Sequence, residues 1–375
     1  MDNLLQLLVE SGFAQLTWGN VIMYAISGTL VFLAISKGYE PLLLIPIAFG
    51  IAVANFPLAQ MGSYADGIIG LIYRSGIETD LLPPVIFLGV GVLTDFRPLL
   101  SRPVTFLLGA AAQLGVFIAA MGAAYLFGFT AKEAASIGII GGADGPTAIY
   151  LTSKLAPQLL GPIALAAYSY MALVPIIQPP VMRLLTTRKE RAIDMRQAMP
   201  VSKTAVIIFP LVTGGLSSLV VPSAAPLIGM LMFGNLIRES GVTDRLKKTA
   251  GGPLIDIVTI FLGTAVGATM SSDQFLTVQT LLIFALGAVA FAFSTAGGVL
   301  LGKALNLILP ASMKVNPCIG AAGVSAVPMS ARVVQKFVSE ETDGRVNPLM
   351  AAMGPNVAGV LGTAVVAGVL LGLLQ

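Results

Sequence analysis

Asp144 is the residue on which chemistry can be built, because it stands among three glycines and a proline in the otherwise apolar stretch Ile137–Lys154 (IGIIGGADGPTAIYLTSK). Gly141, Gly142 and Gly145 weaken a helix, and Pro146 lacks an amide hydrogen and disfavours helical geometry in the residue before it. The backbone is therefore expected to break around Asp144. In hydrocarbon such a break is tolerated only where protein or a water-filled cavity surrounds it, so the carboxylate would lie beside freed carbonyls and amides as a buried ion site. The plain alternative, an exposed acid in a turn, fits poorly with the apolar residues on both sides.

A second stretch repeats the pattern. Ile137–Lys154 lies over Ile319–Lys336 at a constant offset of 182, so that Ile137, Gly138, Gly141, Pro146 and Lys154 meet Ile319, Gly320, Gly323, Pro328 and Lys336. These identities fall on the positions that break a backbone. Overlaying the two breaks gathers Asp144 and Thr147 from the first, Asn316, Ser325, Ser330 and Arg332 from the second, and Tyr170 and Asn356 from the apolar runs that follow. Oxygen-only ligands suit a hard cation, and one carboxylate balances one positive charge. The set argues for Na⁺ at Asp144, or for a proton alternating with it, with Thr147, Asn316, Ser325 and Asn356 offering neutral oxygens. Arg332 stays charged and needs a partner: Asp144 when no cation is bound, an anionic substrate group, or water reached by snorkelling to an interface. Histidine is absent from the chain, which removes the usual metal ligand and neutral-pH proton shuttle.

The elements that must position these residues are membrane helices. The 375 residues are 56% hydrophobic and 10% charged, with a mean hydropathy of +0.90, where a soluble domain carries about 25% charged residues. Val104–Phe127, Gln158–Met182, Ala205–Ile237, Phe275–Gly302 and Val346–Gln375 are each long enough for one span, since about 20 residues cross the hydrocarbon. Runs of this length imply helices and not a barrel. Asn20–Ser36 reads as a first span and Leu42–Phe56 as a short second one. Leu82–Thr94 is about half a span long, and is expected to be tilted, broken or extended backwards into the polar connection Leu58–Asp80. Met1–Leu16 places Leu4, Leu5, Leu8 and Val9 on one face of an amphipathic helix and lacks the basic start of a cleavable signal peptide. A single cysteine, Cys318, rules out an internal disulfide.

The segment Arg183–Lys203 carries Arg183, Arg188, Lys189, Arg191, Arg196 and Lys203 against Glu190 and Asp194, and by the positive-inside rule belongs in the cytoplasm. Beyond it the chain starts again: Pro226–Asn235 (PLIGMLMFGN) echoes Pro41–Gly50 (PLLLIPIAFG), and IFLG occurs at both Ile86–Gly89 and Ile260–Gly263. Interrupted apolar segments at matching places in two halves point to a transporter site at the repeat interface. The expected fold is an all-α polytopic membrane protein of about ten spans. Its expected parts are an N-terminal amphipathic segment 1–19, a repeat 20–183 with broken helix 137–154, a basic cytoplasmic linker 184–203, and a repeat 204–375 with broken helix 319–336. The repeats are expected to be pseudo-symmetric and inverted, with the two breaks meeting near the membrane midplane.

Four motifs carry a resemblance: IGIIGGADGPTAIYLTSKLAP, AAYSYMALVPIIQPPVM, NPCIGAAGVSAVPMSARV and AMGPNVAGV. Together they resemble the β subunit of the sodium-translocating, biotin-dependent decarboxylases, the family acting on oxaloacetate, methylmalonyl-CoA, glutaconyl-CoA or malonate. The resemblance implies a multi-pass subunit of the bacterial inner (cytoplasmic) membrane that decarboxylates carboxybiotin held by a partner and exports Na⁺ while a proton is consumed. It implies that Asp144 of GGADGPT is central to Na⁺ binding, that Asn316 and Ser325 join it, that Tyr170 of AYSYM serves ion binding or proton supply, and that Arg332 matters functionally. Carboxybiotin would lie near Tyr170 and Arg332. The implied cofactors are Na⁺ and biotin, and the implied partners are a carboxyltransferase subunit, a biotin carrier protein and a small membrane anchor subunit. A homo-oligomer is compatible with this reading, membrane lipid surrounds the chain, and nothing points to nucleic acid. The connection Pro57–Asp80 is compact where family members can be longer, which bears on subtype and not on mechanism. The alternative is a stand-alone secondary transporter, a cation/proton antiporter or a Na⁺/carboxylate symporter, and co-purification of a biotinylated polypeptide separates the two.

Overall fold

The structure, a computed structural model, describes residues 11–58, 67–195, 200–310 and 313–375. Most of the expected N-terminal amphipathic segment, residues 1–10, lies outside the described residues, and Gly12 to Gln15 form a turn. Among the described residues every regular element is helical.

In the first half, α1 (Trp18–Lys37) begins at a capping box in which Thr17 and Asn20 exchange side-chain and backbone hydrogen bonds, and it ends at left-handed Gly38. α2 (Pro41–Ala54) opens on its proline and has only 14 residues, about 21 Å of helix. α3 (Ile68–Glu78) meets α4 (Leu82–Leu93) at a bend of 67°, the break expected just before Leu82–Thr94. α5 (Thr105–Phe127) is a span. α6 (Ala131–Gly138), a 3₁₀ turn at Ile139–Gly142 and α7 (Gly145–Leu155) make the first interrupted segment, and α8 (Leu160–Leu185) closes the half.

The second half runs through α9 (Lys203–Val220), α10 (Ala225–Glu239), α11 (Asp244–Ala268) and α12 (Val278–Ile308). A 3₁₀ helix at Pro317–Gly323 and α13 (Met329–Glu341) form the second interrupted segment, and α14 (Leu349–Leu374) ends the chain. One expectation is corrected here. Ala205–Ile237, read as one span, is two helices joined by a 3₁₀ turn at Pro222–Ala224, because Pro222 cannot supply the amide that would continue α9.

Seven of the described helices are long and apolar enough to cross a membrane, and the bent pair α3–α4 makes eight. The expected count of about ten goes beyond this by including the short span Leu42–Phe56, here the 14-residue α2; the 15-residue α10 is a second short helix. Both short helices lie flat against a neighbour of the other half: α2 on α11, and α10 on α4. Glycines permit each close approach. A Cβ on Gly50 or Gly267 would strike backbone across the first crossing, and one on Gly91 or Gly234 would do the same across the second. The long helices α8, α12 and α14 enclose the two interrupted segments, with Tyr168, Phe291 and Leu361 buried among them.

Candidate functional site

Each interrupted segment is a hairpin whose two ends are fastened together. In the first, Thr130 and Glu133 form a capping box at the start of α6, and Glu133 Oε1 accepts a 3.1 Å hydrogen bond from Gln158 Nε2, just beyond the end of α7. In the second, the Arg191 carbonyl accepts from Asn316 Nδ2 at 2.8 Å, while Arg191 Nη1 donates to Glu341 Oε2 at 2.6 Å. Entry and exit of both hairpins are thereby held side by side, which leaves the breaks at the tips.

The first tip is built as its sequence dictates. The 3₁₀ turn tightens the chain, Ala143 takes a left-handed conformation (φ 53°), and Asp144 is extended and caps α7, its Oδ1 accepting the Thr147 amide at 3.0 Å. In the second hairpin the 3₁₀ helix stops at Gly323, Val324 is extended, and α13 restarts after Pro328. The tips touch. The Ser325 amide donates to the Gly142 carbonyl at 2.8 Å, and Ser325 Oγ donates to Asp144 Oδ2 at 2.9 Å. Asp144 is 7% exposed and Ser325 6%. Both line a cavity of about 100 Å³ together with Phe87, Pro146, Met171 and Val327, a space on the scale of an ion or a few waters. The Thr147 hydroxyl lies beside the same carboxylate without completing a hydrogen bond to it.

Asn356 on α14 braces the second tip, its Nδ2 donating to the Ala322 and Val324 carbonyls at 3.0 and 2.8 Å while its buried Oδ1 has no partner. Asn316 stands apart. It caps the far end of the 3₁₀ helix, about 14 Å of 3₁₀ rise from the tip, and its amide is committed to the Cys318 amide and to the carbonyls of Arg191 and Ile193. Tyr170 also points away from Asp144: its hydroxyl donates to the Phe284 carbonyl, and its ring lies against Gly287 of α12. Arg332 is exposed, on the outward face of α13 with Lys336 and Glu340, and among the described residues no carboxylate pairs with it. Asp95, just beyond the end of α4, pairs with Arg97 at 3.1 Å, and Asp256 is exposed.

Two residues missed in the sequence stand at the site. The ring of Tyr168 covers Gly145 so closely that a Cβ there would overlap it, and its hydroxyl is buried, unpartnered and within electrostatic reach of Asp144. YSY offered two tyrosines about 200° apart around a helix, and only the rotation of α8 tells which one meets the break. Gln178 is the second. Fully buried on α8, it bonds the Ala321 carbonyl at 2.7 Å and Ser330 Oγ at 2.8 Å, locking the second hairpin to α8. Its signal, a lone amide in an apolar run, was in the sequence.

The electrostatics divide by depth. Among the described residues no three Asp, Glu, His or Cys side chains gather as a multivalent metal would require. At the basic segment, the hydrogen bond from Arg183 is the largest influence on Glu341 and holds its carboxyl below the ordinary carboxylate range; partial burial opposes this and Arg191 adds to it.

Comparison with known proteins decides the family. The family described as Na⁺-transporting oxaloacetate decarboxylase beta subunit matches residues 19–374. The chain belongs to it. This β subunit is 56% identical to methylmalonyl-CoA decarboxylase subunit beta of Veillonella parvula over 370 residues, which cover 98% of this chain and 96% of that protein. It is 55% identical to glutaconyl-CoA decarboxylase subunit beta of Acidaminococcus fermentans, covering 99% and 97%. With oxaloacetate decarboxylase beta chain of Klebsiella pneumoniae it shares 49% identity, covering 99% of each. As a β subunit of this family the chain is the membrane subunit of a Na⁺-transporting decarboxylase, and the reading as a stand-alone secondary transporter falls away.

Proposed function

We propose that the transported Na⁺ binds where the two hairpin tips meet, on the Asp144 carboxylate and the Ser325 hydroxyl. The observation that carries this is the pair of bonds from Ser325 to Gly142 and Asp144, which join the two breaks around one buried acid. A carboxylate so far from water needs a positive partner, and Na⁺ or a proton can each fill that need. Na⁺ and H⁺ therefore compete at Asp144, with Thr147 Oγ1 and Tyr168 Oη, both buried and without hydrogen-bond partners, as further neutral oxygens. Asn316 and Tyr170 act on the site indirectly, the first by capping the hairpin that carries Ser325 and the second by fixing α8 to α12.

The framework of this reading is two inverted repeats, 20–183 and 204–375. Three features support it: the same order of elements in each half, the reciprocal packing of α2 on α11 and α10 on α4, and tip-to-tip hairpins. The helical arms of the hairpins rise about 14 to 20 Å by helix geometry. That is roughly half of a 30 Å hydrocarbon core or a little more, which supports a reading with the tips near the midplane. The second hairpin opens beside the basic segment Arg183–Arg191, which suits a cytoplasmic side.

A biotin group borne by a carrier protein would bring the carboxylate whose loss as CO₂ drives transport and takes up one proton. The chain meets that anion with Arg332, whose exposed guanidinium shares a face of α13 with Lys336. A charged face on a helix of this depth belongs to an aqueous cleft and not to lipid. The complex would include a carboxyltransferase subunit, the carrier protein and a small anchor subunit in a bacterial inner membrane. The test is Asp144→Asn in the reconstituted complex. We expect Na⁺-dependent decarboxylation and Na⁺ transport to be lost together, and transport surviving unchanged would remove Asp144 from the ion path.

A further inference from the structure

The connection Arg238–Lys248 becomes a pocket in the fold. The Arg238 guanidinium is fixed at its wall, with Nε donating to Glu239 Oε1 at 3.0 Å and Nη1 donating to the Val92 and Leu93 carbonyls at 3.1 Å each. Its Nη2 lies 3.9 Å from Asp95 Oδ2, beyond hydrogen-bond distance, and so keeps donor capacity. Across from it the start of α11 brings Lys247, Lys248 and Asp244. These residues enclose a cavity of about 250 Å³ with Val92 and Leu93. Among the described residues neither lysine has a salt bridge, nor does Asp244. The cavity lining thus holds three cations and one acid at the ends of membrane helices, with Glu239 and Asp95 outside it against Arg238 and the two lysines unpaired among the described residues.

The surroundings identify the occupant. Leu93 in the lining is exposed and apolar, as are Val242 and Leu246 in the same connection and, farther along α10 and α11, Phe233, Ile257 and Phe261. A basic pocket that runs on into an apolar wall suits a molecule with an anionic head and hydrocarbon chains. A soluble acidic partner would leave that wall unused. We propose that this cavity binds the phosphate of an anionic phospholipid, held by Arg238, Lys247 and Lys248, with the acyl chains lying along α10 and α11. The site is independent of the Na⁺ site, and its success or failure leaves the reading of Asp144 untouched.

The experiment places the full chain in nanodiscs of phosphatidylcholine with a minority of phosphatidylglycerol and measures lipid retained after extraction by native mass spectrometry. The wild-type chain should retain phosphatidylglycerol preferentially. With each surface cation worth about 1 kcal/mol, removing both lysines should weaken that preference roughly thirty-fold. Lys247→Gln/Lys248→Gln and Lys247→Glu/Lys248→Glu should move in the same direction, the first guarding against a folding defect in the second. Lys132→Glu, at an exposed lysine on α6, should have no effect. Equal retention of the two lipids by the wild type, or a preference that survives both double variants, overturns the proposal. Displacement of the lipid by inorganic phosphate alone also overturns it, since the site would then be one for a free anion.

Discussion

Replacing Tyr168 by Phe separates a role in the ion site from a role in packing, because only the first predicts a weaker response to Na⁺. The ring, 1% exposed, fills the space over Gly145, and Phe keeps that ring. Only the hydroxyl goes, and it makes no hydrogen bond in the protein. A buried polar group without a partner costs about 1–3 kcal/mol, so its removal should stabilise the Na⁺-free protein by up to that amount. If the phenol oxygen serves the cation, Na⁺ binding should lose one neutral contact of about 1–2 kcal/mol, a rise in half-saturating Na⁺ of roughly five- to thirty-fold. The assay is thermal unfolding of purified protein across a Na⁺ titration, with Na⁺-dependent decarboxylation in the reconstituted complex alongside. The expected result is a higher midpoint without Na⁺ and a weaker response to it. A variant less stable than wild type without Na⁺, or one whose half-saturation moves less than about twofold, refutes the assignment.

Other expectations follow from the same geometry. Gly145→Ala forces a Cβ into the Tyr168 ring, and overpacking of this kind costs about 1–3 kcal/mol; in unfolding experiments Tyr168→Leu should relieve much of that loss, and simple additivity would show that the two residues do not touch. Because the folded-state pKa of Glu341 is depressed, chiefly by Arg183, its stabilising contribution is complete above the unfolded carboxylate value of about 4.3 and is lost as pH falls through the folded value. Glu341→Gln should accordingly lower stability at neutral pH and flatten the acid limb of a stability–pH curve, and an unchanged acid limb would contradict the pairing.

Much of the fold was legible from local properties. Long apolar runs announced membrane helices, and the Gly-Pro cluster at Asp144 placed a break where the structure has one. Pro222 was equally visible, yet Ala205–Ile237 read as one span because hydropathy does not register a tight turn between two apolar helices. The site was legible in its centre, Asp144 with Ser325, and less so at its edges. Pairing the breaks by register brought Asn316 into the same set as Ser325, but the first arm of the second hairpin is a 3₁₀ helix that carries Asn316 to the opposite end.

What the sequence determined by itself is the class of molecule, the two weak points in its backbone, the single acid between them and the motifs of a family. These depend on hydropathy and on φ/ψ preferences, which each residue carries wherever it is placed. Tertiary structure decided which side chains meet. The rotation of α8 sets Tyr168 and not Tyr170 against Gly145, the depth of the second hairpin brings Ser325 to Asp144 and leaves Asn316 at the Arg191 end, and the orientation of α13 turns Arg332 outward. Such outcomes turn on how far an element rotates and how deep it packs, and contacts from elsewhere in the chain fix both.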